Sequence, residues 1–193
     1  MKVAIMGGTF NPIHYAHLLS AEQVREGLGY DKILFVPAAR PPHKSLPDLV
    51  SAEHRYQMVL LATADNPYFE VSRIELERAG PSYTIQTIKA LQRIYGKETE
   101  LAWIIGADSL IEYKIWKDFN DVLAQCTMIV TTRPNYKLDS VPLEIRNRVV
   151  TFRITGSDIS ATEIRERVRN NISIRYLVPE SVVTYINQHR LYR

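Results

Sequence analysis

A chain of 193 residues, 46% of them hydrophobic, can bury one sizeable core, so we expect one domain spanning residues 1–193. Its formal net charge of +3 comes from 24 basic and 21 acidic residues, which are mixed along the chain and form no basic nucleic-acid-binding tail. No segment approaches the length of a membrane span, and the four apolar residues before Gly7 are too few for a signal peptide. These features predict a cytoplasmic protein that binds neither nucleic acid nor membrane.

Short apolar runs rich in Ile and Val predict six buried strands. They cover residues 3–6, 33–36, 69–71, 101–105, 128–132 and 149–154. Apolar residues at helical spacing lie between the first four runs and predict amphipathic helices: Leu18, Ala21, Val24 and Leu28, then Met58, Leu61 and Ala62, then Ile85, Ile88, Leu91 and Tyr95. The alternation of strand and helix indicates an α/β fold with a doubly wound, mostly parallel, Rossmann-like sheet.

The pattern after residue 154 is purely helical and predicts two C-terminal helices near the edge of the sheet. Their apolar positions are Ile164, Val168 and Ile172, then Val182, Val183 and Ile186. The single cysteine, Cys126, lies in an apolar stretch and is interpreted as a packing residue in a reducing compartment. The loop over residues 37–48 contains four prolines and is long for a compact domain, so it is a candidate functional loop.

The first strand runs into a glycine turn that is followed by a helix. Gly7 and Gly8 stand at the carboxyl end of this strand, where open α/β sheets bind ligands, and adjacent glycines let backbone N–H groups approach a phosphate. His14 and His17 are three residues apart, so both side chains can reach one anion at the positive end of the helix. The turn therefore predicts a phosphate site.

Two other interpretations of this turn are weaker. The histidines could simply cap or pack the helix, although paired histidines beside paired glycines favour a phosphate site. A zinc site would need more ligands, since no cysteine is near and the first carboxylate is Glu22. The glycine spacing matches neither the P-loop nor the dinucleotide fingerprint, so different chemistry is indicated.

A second polar segment opens a helix near the other end of the chain. Ser160 is a plausible N-cap, with Glu163 three residues later to complete a capping box. Arg165 follows, and its guanidinium together with the helix N-terminus offers a second anion site. Arg167 and Arg169 are interpreted as part of a solvated helix face.

These two segments resemble the signatures of the nucleotidyltransferase superfamily. Residues 10–17 resemble a Phe-Pro turn followed by His-x-Gly-His, and residues 159–165 resemble Ile-Ser-x-Thr-x-Ile-Arg. Two positions depart from these signatures: Ala16 stands where glycine is usual, and Ala161 where a second serine is frequent. The resemblance implies that the hydroxyls, the helix N-terminus and Arg165 hold the phosphates of ATP.

Intermediate segments extend the resemblance to the bacterial nicotinate-mononucleotide adenylyltransferase family. They are residues 41–44, 78–84 and 105–108, with Trp116 and residues 133–134. This family transfers AMP from ATP to nicotinate mononucleotide in NAD biosynthesis. Many of its members carry Asp where this chain has Asn11.

The resemblance also implies a role for individual residues. The catalytic set would be His14, His17 and Arg165. The ATP-binding set would be Gly7, Gly8, Thr9, Phe10, Gly106, Asp108, Arg133, Ser160 and Thr162. The mononucleotide would contact Lys44, Thr84 and Trp116, whose ring suits stacking on a pyridine. No acidic cluster suggests a protein-bound metal, so Mg²⁺ is expected to arrive on ATP.

Three rival functions remain open at this point. The acceptor could be nicotinamide mononucleotide or another phosphorylated compound. The chain could be a sensing module that binds ATP without reacting, although both histidines and Arg165 are present. A nucleic-acid-binding function lacks a basic run or an aromatic strip. A homo-oligomer is compatible with the sequence, which does not determine the oligomeric state.

Overall fold

The structure is a computed structural model that describes residues 1–42, 48–132 and 138–193. Its centre is a parallel sheet of strands β1 (Lys2–Gly8), β2 (Lys32–Pro37), β3 (Phe69–Val71), β4 (Glu100–Gly106), β5 (Thr127–Thr132) and β6 (Val150–Arg153). The strands lie in the order β3-β2-β1-β4-β5-β6. All six predicted strands and the doubly wound α/β fold class are confirmed.

Eight helices flank this sheet within the described ranges. They are α1 (Tyr15–Gly27), α2 (Ala52–Thr63), α3 (Thr84–Tyr95), α4 (Ala107–Ile111), α5 (Phe119–Gln125), α6 (Leu143–Arg146), α7 (Ala161–Arg169) and α8 (Glu180–Gln188). A short 3₁₀ turn spans Tyr113–Ile115. The three amphipathic helices predicted between the early strands correspond to α1, α2 and α3.

Side chains alternate between the two faces of the sheet, and each face is covered by its own helices. Ala4 and Met6 of β1 pack in the cluster that includes residues of α1, α2, α7 and α8. Val3 and Ile5 point to the other cluster, which includes residues of α3, α4, α5 and α6. The sheet is therefore buried on both sides, as parallel sheets require.

The strand order reverses between β1 and β4, which pair directly with Met6 opposite Ile104. Connections leave these two strands toward opposite faces, so a crevice opens beyond their carboxyl ends. Open α/β sheets bind ligands at this position. The glycine turn and residues 106–108 both line this crevice.

The two predicted C-terminal helices are α7 and α8, whose residues Ile164, Val182 and Ile186 belong to the same core cluster as Ala4 of β1. Two other details differ from the sequence-based expectation. Leu61 is 39% exposed because the buried stripe of α2 runs through Met58, Val59 and Ala62. Ile172 lies beyond the end of α7 and is 50% exposed.

Cys126 packs beside the second core cluster as a half-buried, free thiol. Burial raises the pKa of the Cys126 thiol to about 12. Such a thiol is protonated and unreactive at neutral pH, in agreement with its interpretation as a packing residue. In the described part of the chain, no helix is both long and apolar enough to cross a bilayer.

Candidate active site

The turn after β1 is built so tightly that aromatic rings occupy the space beside its glycines. A Cβ on Gly7 would collide with the ring of Trp103 on β4. A Cβ on Gly8 would lie 2.9 Å from the ring of Phe10. The two glycines therefore allow these rings to form the floor of the crevice, in addition to bringing backbone N–H groups close to it.

Phe10 itself holds an unusual backbone conformation. Its φ of 48° lies in the left-handed region, which costs energy for residues other than glycine. The ring is only 3% exposed and packs edge-on against His17, with the ring centroids 5.1 Å apart. Phe10, which was predicted to bind ATP, lines the cavity and also packs against the ring of His17.

The two histidines of the turn stand together at the start of α1. His14 is the N-cap, and His17 lies in the first turn, with ring centroids 3.8 Å apart and an interplanar angle of 29°. The backbone N–H of His14 donates to Nδ1 of His17 at 3.3 Å. A neutral His17 therefore carries its proton on Nε2, which makes that nitrogen a hydrogen-bond donor.

Arg165 reaches from α7 to the glycine turn and is only 7% exposed. Its Nη1 donates to the carbonyl of Asn11 at 2.9 Å, and its Nη2 donates to Oγ1 of Thr162 at 3.3 Å. Ser160 caps α7, since its Oγ accepts the N–H of Glu163 at 3.1 Å. The predicted cap is confirmed, and the guanidinium is fixed beside the turn.

Asn11 explains one departure from the family pattern. Its side-chain Nδ2 donates to the carbonyl of Asp48 at 3.0 Å, and its Oδ1 accepts the hydroxyl of Tyr192 at 3.0 Å. The first of these bonds needs an amide, because an ionised carboxylate cannot donate. In this chain Asn11 is therefore a structural link between the turn, the proline-rich loop and the C-terminal residues.

The opposite wall comes from β4 and the helices that follow it. Gly106 ends β4, and Asp108 lies exposed in the first turn of α4. Thr84 begins α3 and is half-buried. Trp116 is half-buried too, with its ring edge-on to Phe119 at a centroid distance of 6.1 Å.

One cavity of about 860 Å³ brings these walls together. The predicted residues that line it are Gly7, Gly8, Thr9, Phe10, His14, His17, Thr84, Gly106, Asp108, Trp116, Ser160, Thr162 and Arg165. Lys44 and Arg133, the two remaining predicted site residues, lie outside the described residues. The cavity is within the size range of small-molecule sites.

Two buried charged residues were missed by the sequence analysis. Glu75 lines the cavity at 5% exposure, and the hydroxyl of Thr87 donates to its Oε1 at 2.5 Å. Arg55, on α2, is fully buried behind the turn. The available signal was a charge within an apolar helical pattern, since Arg55 precedes Met58 by one turn on the buried face.

The described residues do not form a metal site of their own. Over residues 1–42, 48–132 and 138–193, no group of three or more His, Cys, Asp or Glu side chains is arranged to hold an ion. Asp108 is exposed and lines the cavity.

Residues 5–167 match the family model described as cytidylyltransferase-like, so the chain belongs to this class of nucleotidyltransferases. Two curated relatives are named "Probable nicotinate-nucleotide adenylyltransferase". The chain is 48% identical to that of Moorella thermoacetica, with 100% of this chain and 92% of the relative covered. It is 45% identical to that of Thermus thermophilus, with 100% of both chains covered. Within the class, the chain belongs to the nicotinate-nucleotide adenylyltransferase family, and the prediction of such an enzyme is confirmed.

A solved structure supports the fold independently. The nicotinic acid mononucleotide adenylyltransferase of Plasmodium falciparum, complexed with NaAD, superposes with a TM-score of 0.80. The alignment covers 99% of this chain and 97% of that one at 18% identity. At this level of identity the likeness confirms the Rossmann-like architecture.

Proposed function

We propose that this chain transfers the AMP moiety of ATP to the phosphate of nicotinate mononucleotide, forming nicotinate adenine dinucleotide and pyrophosphate in NAD biosynthesis. The observation that carries the proposal is the cavity at the β1–β4 switch point. It joins the stacked His14 and His17, the buried Arg165, and the acceptor candidates Thr84 and Trp116.

The reaction is an in-line displacement at the α-phosphorus of ATP. An oxygen of the mononucleotide phosphate forms a new bond to that phosphorus, and the bond to the oxygen bridging the α- and β-phosphates breaks. The bridging oxygen keeps the electron pair and leaves as part of pyrophosphate. The attacking phosphate is already ionised at neutral pH, so positioning and charge stabilisation replace a general base.

We assign stabilisation of the transferring phosphate to His14 and His17. The Nδ1 of His17 accepts the backbone N–H of His14, so the Nε2 of His17 is the nitrogen that can donate a hydrogen bond to the phosphate. Preorganised donors of this kind act where charge develops in the transition state. Arg165 holds the leaving pyrophosphate, because its guanidinium is fixed at the N-terminal half of α7 beside Asn11 and Thr162.

The remaining predicted residues divide between the two substrates. Asp108 accepts hydrogen bonds from ribose hydroxyls of ATP, and Gly106 keeps the wall beside it thin. Thr84 and Trp116 face the same cavity and contact the pyridine end of the acceptor. Lys44 is assigned to the acceptor, and Arg133 to ATP, by the family resemblance alone.

Mg²⁺ is proposed to enter as part of the ATP complex. ATP phosphates are hard oxygen ligands, which Mg²⁺ prefers to combine with few protein groups. This proposal agrees with the lack of a three-residue ligand group in the described part of the chain. None of the residue roles above depends on a protein-bound ion.

We further propose that residues 1–193 form one nucleotidyltransferase domain that works in the cytoplasm. The cavity draws on residues from Met6 to Arg165, and α8 packs in the same core as β1. A single unpaired cysteine suits a reducing compartment. A homo-oligomer is compatible with this assignment.

The assay for this function measures pyrophosphate released from ATP and Mg²⁺ with each candidate mononucleotide, together with the dinucleotide formed. We expect equal amounts of both products with nicotinate mononucleotide. The variant His189→Ala is a control for the loss of a histidine outside the site and should keep wild-type activity. His189 is exposed at the C-terminal cap of α8 and does not line the cavity. Lack of pyrophosphate release by the unmodified chain would refute the proposed function.

A further inference from the structure

Arg55 is a fully buried charge that the reaction described above does not use. Its side chain is 0% exposed on α2, and burial lowers the pKa of its guanidinium to about 10. The group is still protonated at neutral pH. A buried charge of this kind is tolerated only when hydrogen bonds compensate its lost hydration.

The compensation comes from three backbone carbonyls that are far apart in the sequence. Nη1 donates to Thr9 at 2.7 Å, Nη2 to Ala39 at 3.2 Å, and Nε to Val50 at 3.1 Å. Thr9 belongs to the glycine turn. Ala39 lies near the start of the proline-rich loop of residues 37–48, and Val50 lies two residues after its end, so one guanidinium ties both ends of this loop to the turn.

The connection continues from the loop to the acceptor wall. The N–H of Arg40 donates to Oγ of Ser82 at 3.2 Å, and the N–H of Ser82 donates back to the carbonyl of Arg40 at 3.0 Å. Two residues later Thr84 begins α3. Hydrogen bonds, together with the peptide bond between Ala39 and Arg40, therefore connect the glycine turn through Arg55 to the segment that carries Thr84.

We propose that Arg55 is a positioning residue that holds the acceptor-binding segments in register with the glycine turn, so that the mononucleotide phosphate is aligned for attack. This inference rests on the proposed function. Arg55 does not line the cavity, so it acts through the backbone and touches neither substrate.

The geometry explains why arginine is needed here. A guanidinium presents its N–H groups in a fixed plane, and three of its nitrogens each serve a different carbonyl. A lysine ammonium is a single point that cannot reach three acceptors on three sides. The variant Arg55→Lys therefore keeps the charge but releases at least one end of the loop.

The kinetic test uses Arg55→Lys with ATP and nicotinate mononucleotide. We expect kcat/KM for the mononucleotide to fall ~10- to 100-fold, because misplacement of an attacking group costs rate steeply. ATP affinity, measured by calorimetry without acceptor, should change less than ~3-fold, since the turn stays held by Arg165. An unchanged kcat/KM, or an equal loss of ATP binding, would overturn the assignment.

Two control variants separate positioning from general destabilisation. Arg73→Lys makes the same chemical change at a half-buried arginine that pairs with Glu53 on α2 and does not line the cavity. Ile186→Val removes a methyl group from the buried face of α8 and lowers stability without touching the carbonyl partners of Arg55. Both controls should keep wild-type kcat and KM. If Ile186→Val reproduced the kinetic loss at equal stability, Arg55 would have only a structural role.

A second measurement on the unmodified chain applies if Arg55→Lys does not fold. Amide hydrogen exchange is followed with nicotinate mononucleotide alone. We expect slower exchange at the glycine turn around Thr9 as well as at the acceptor wall, because Arg55 links them. Protection confined to the acceptor wall would overturn the inference. Turnover by the wild-type chain distinguishes the proposed function from the proposed role of Arg55. If the wild-type chain shows no turnover, the proposed function is refuted. If it turns over and Arg55→Lys has the same kinetics, only the role of Arg55 is refuted.

Discussion

Replacing Arg165 with lysine tests whether the planar guanidinium, and not only its charge, is needed for ATP use. Arg165 is buried, and its guanidinium donates to the carbonyl of Asn11 at 2.9 Å and to Oγ1 of Thr162 at 3.3 Å. A lysine cannot keep both bonds while also facing a phosphate. Loss of one hydrogen bond involving a charged group costs ~1.5–3 kcal/mol. We therefore expect kcat/KM for ATP to fall about 10- to 150-fold.

The assay is steady-state kinetics with varied ATP at saturating nicotinate mononucleotide, after thermal unfolding has shown that the variant folds. Arg167→Lys is a matched control two positions later on α7. Arg167 is half-buried and does not line the cavity. Its Nε donates to the carbonyl of Ser173 at 2.9 Å, and its Nη1 lies 3.4 Å from Oε1 of Glu163, an ion pair of the kind that contributes little. We expect this control to stay within ~2-fold of wild type. A folded Arg165→Lys with the same kcat/KM as the control would remove Arg165 from the ATP site.

Three further predictions concern the same cavity. His14→Ala or His17→Ala should lower kcat by ~10²-fold or more while the protein still folds, because a hydrogen-bond donor that stabilises charge is lost. Near-normal turnover by both folded variants would show that these histidines only pack against the helix. Gly106→Ala should raise KM for ATP without lowering Tm, since a Cβ there meets nothing within 4 Å. Gly7→Ala should lower Tm, because its Cβ would collide with the ring of Trp103. Equal Tm values for the two variants would contradict this distinction. Nicotinate mononucleotide should be preferred over nicotinamide mononucleotide by ~10³-fold in kcat/KM. The Thr84 hydroxyl and backbone N–H groups can donate hydrogen bonds to the carboxylate of the acid, but they offer no acceptor for the NH₂ group of the amide. Equal kcat/KM values for the two mononucleotides, measured side by side, would refute the choice of acceptor.

Much of the site could be predicted because its residues come in contiguous motifs at the ends of recognisable strands. The apolar run before Gly7 predicted β1, and the run before Gly106 predicted β4. Carboxyl ends of neighbouring parallel strands meet at one edge of a sheet, so the two motifs had to face each other. Arg165 lies beside them because its own motif opens α7, from which its guanidinium donates to the carbonyl of Asn11 in the turn.

Other parts of the site were not predictable because they depend on partners distant in the sequence. Arg55 lies in a helix whose pattern is dominated by apolar residues. Its three acceptors are backbone carbonyls, which every residue type has, so the sequence does not indicate which residues bind it. The exposure of Leu61 has a similar origin. Its helical spacing from Met58 fits a buried face, but the face that is buried depends on where α8 and the sheet lie.

The glycines of the site show how one residue type serves two purposes that the sequence does not distinguish. Gly7 gives its side-chain space to Trp103, so its small size is a requirement of the folded chain before any ligand binds. The space beside Gly106 is open to the cavity, so its small size matters only to a ligand. An activity loss at Gly7 would therefore follow from a distorted floor, and one at Gly106 from a blocked wall. The floor that Trp103 and Phe10 form is packed independently of substrate, which allows the histidines above it to be oriented before ATP arrives.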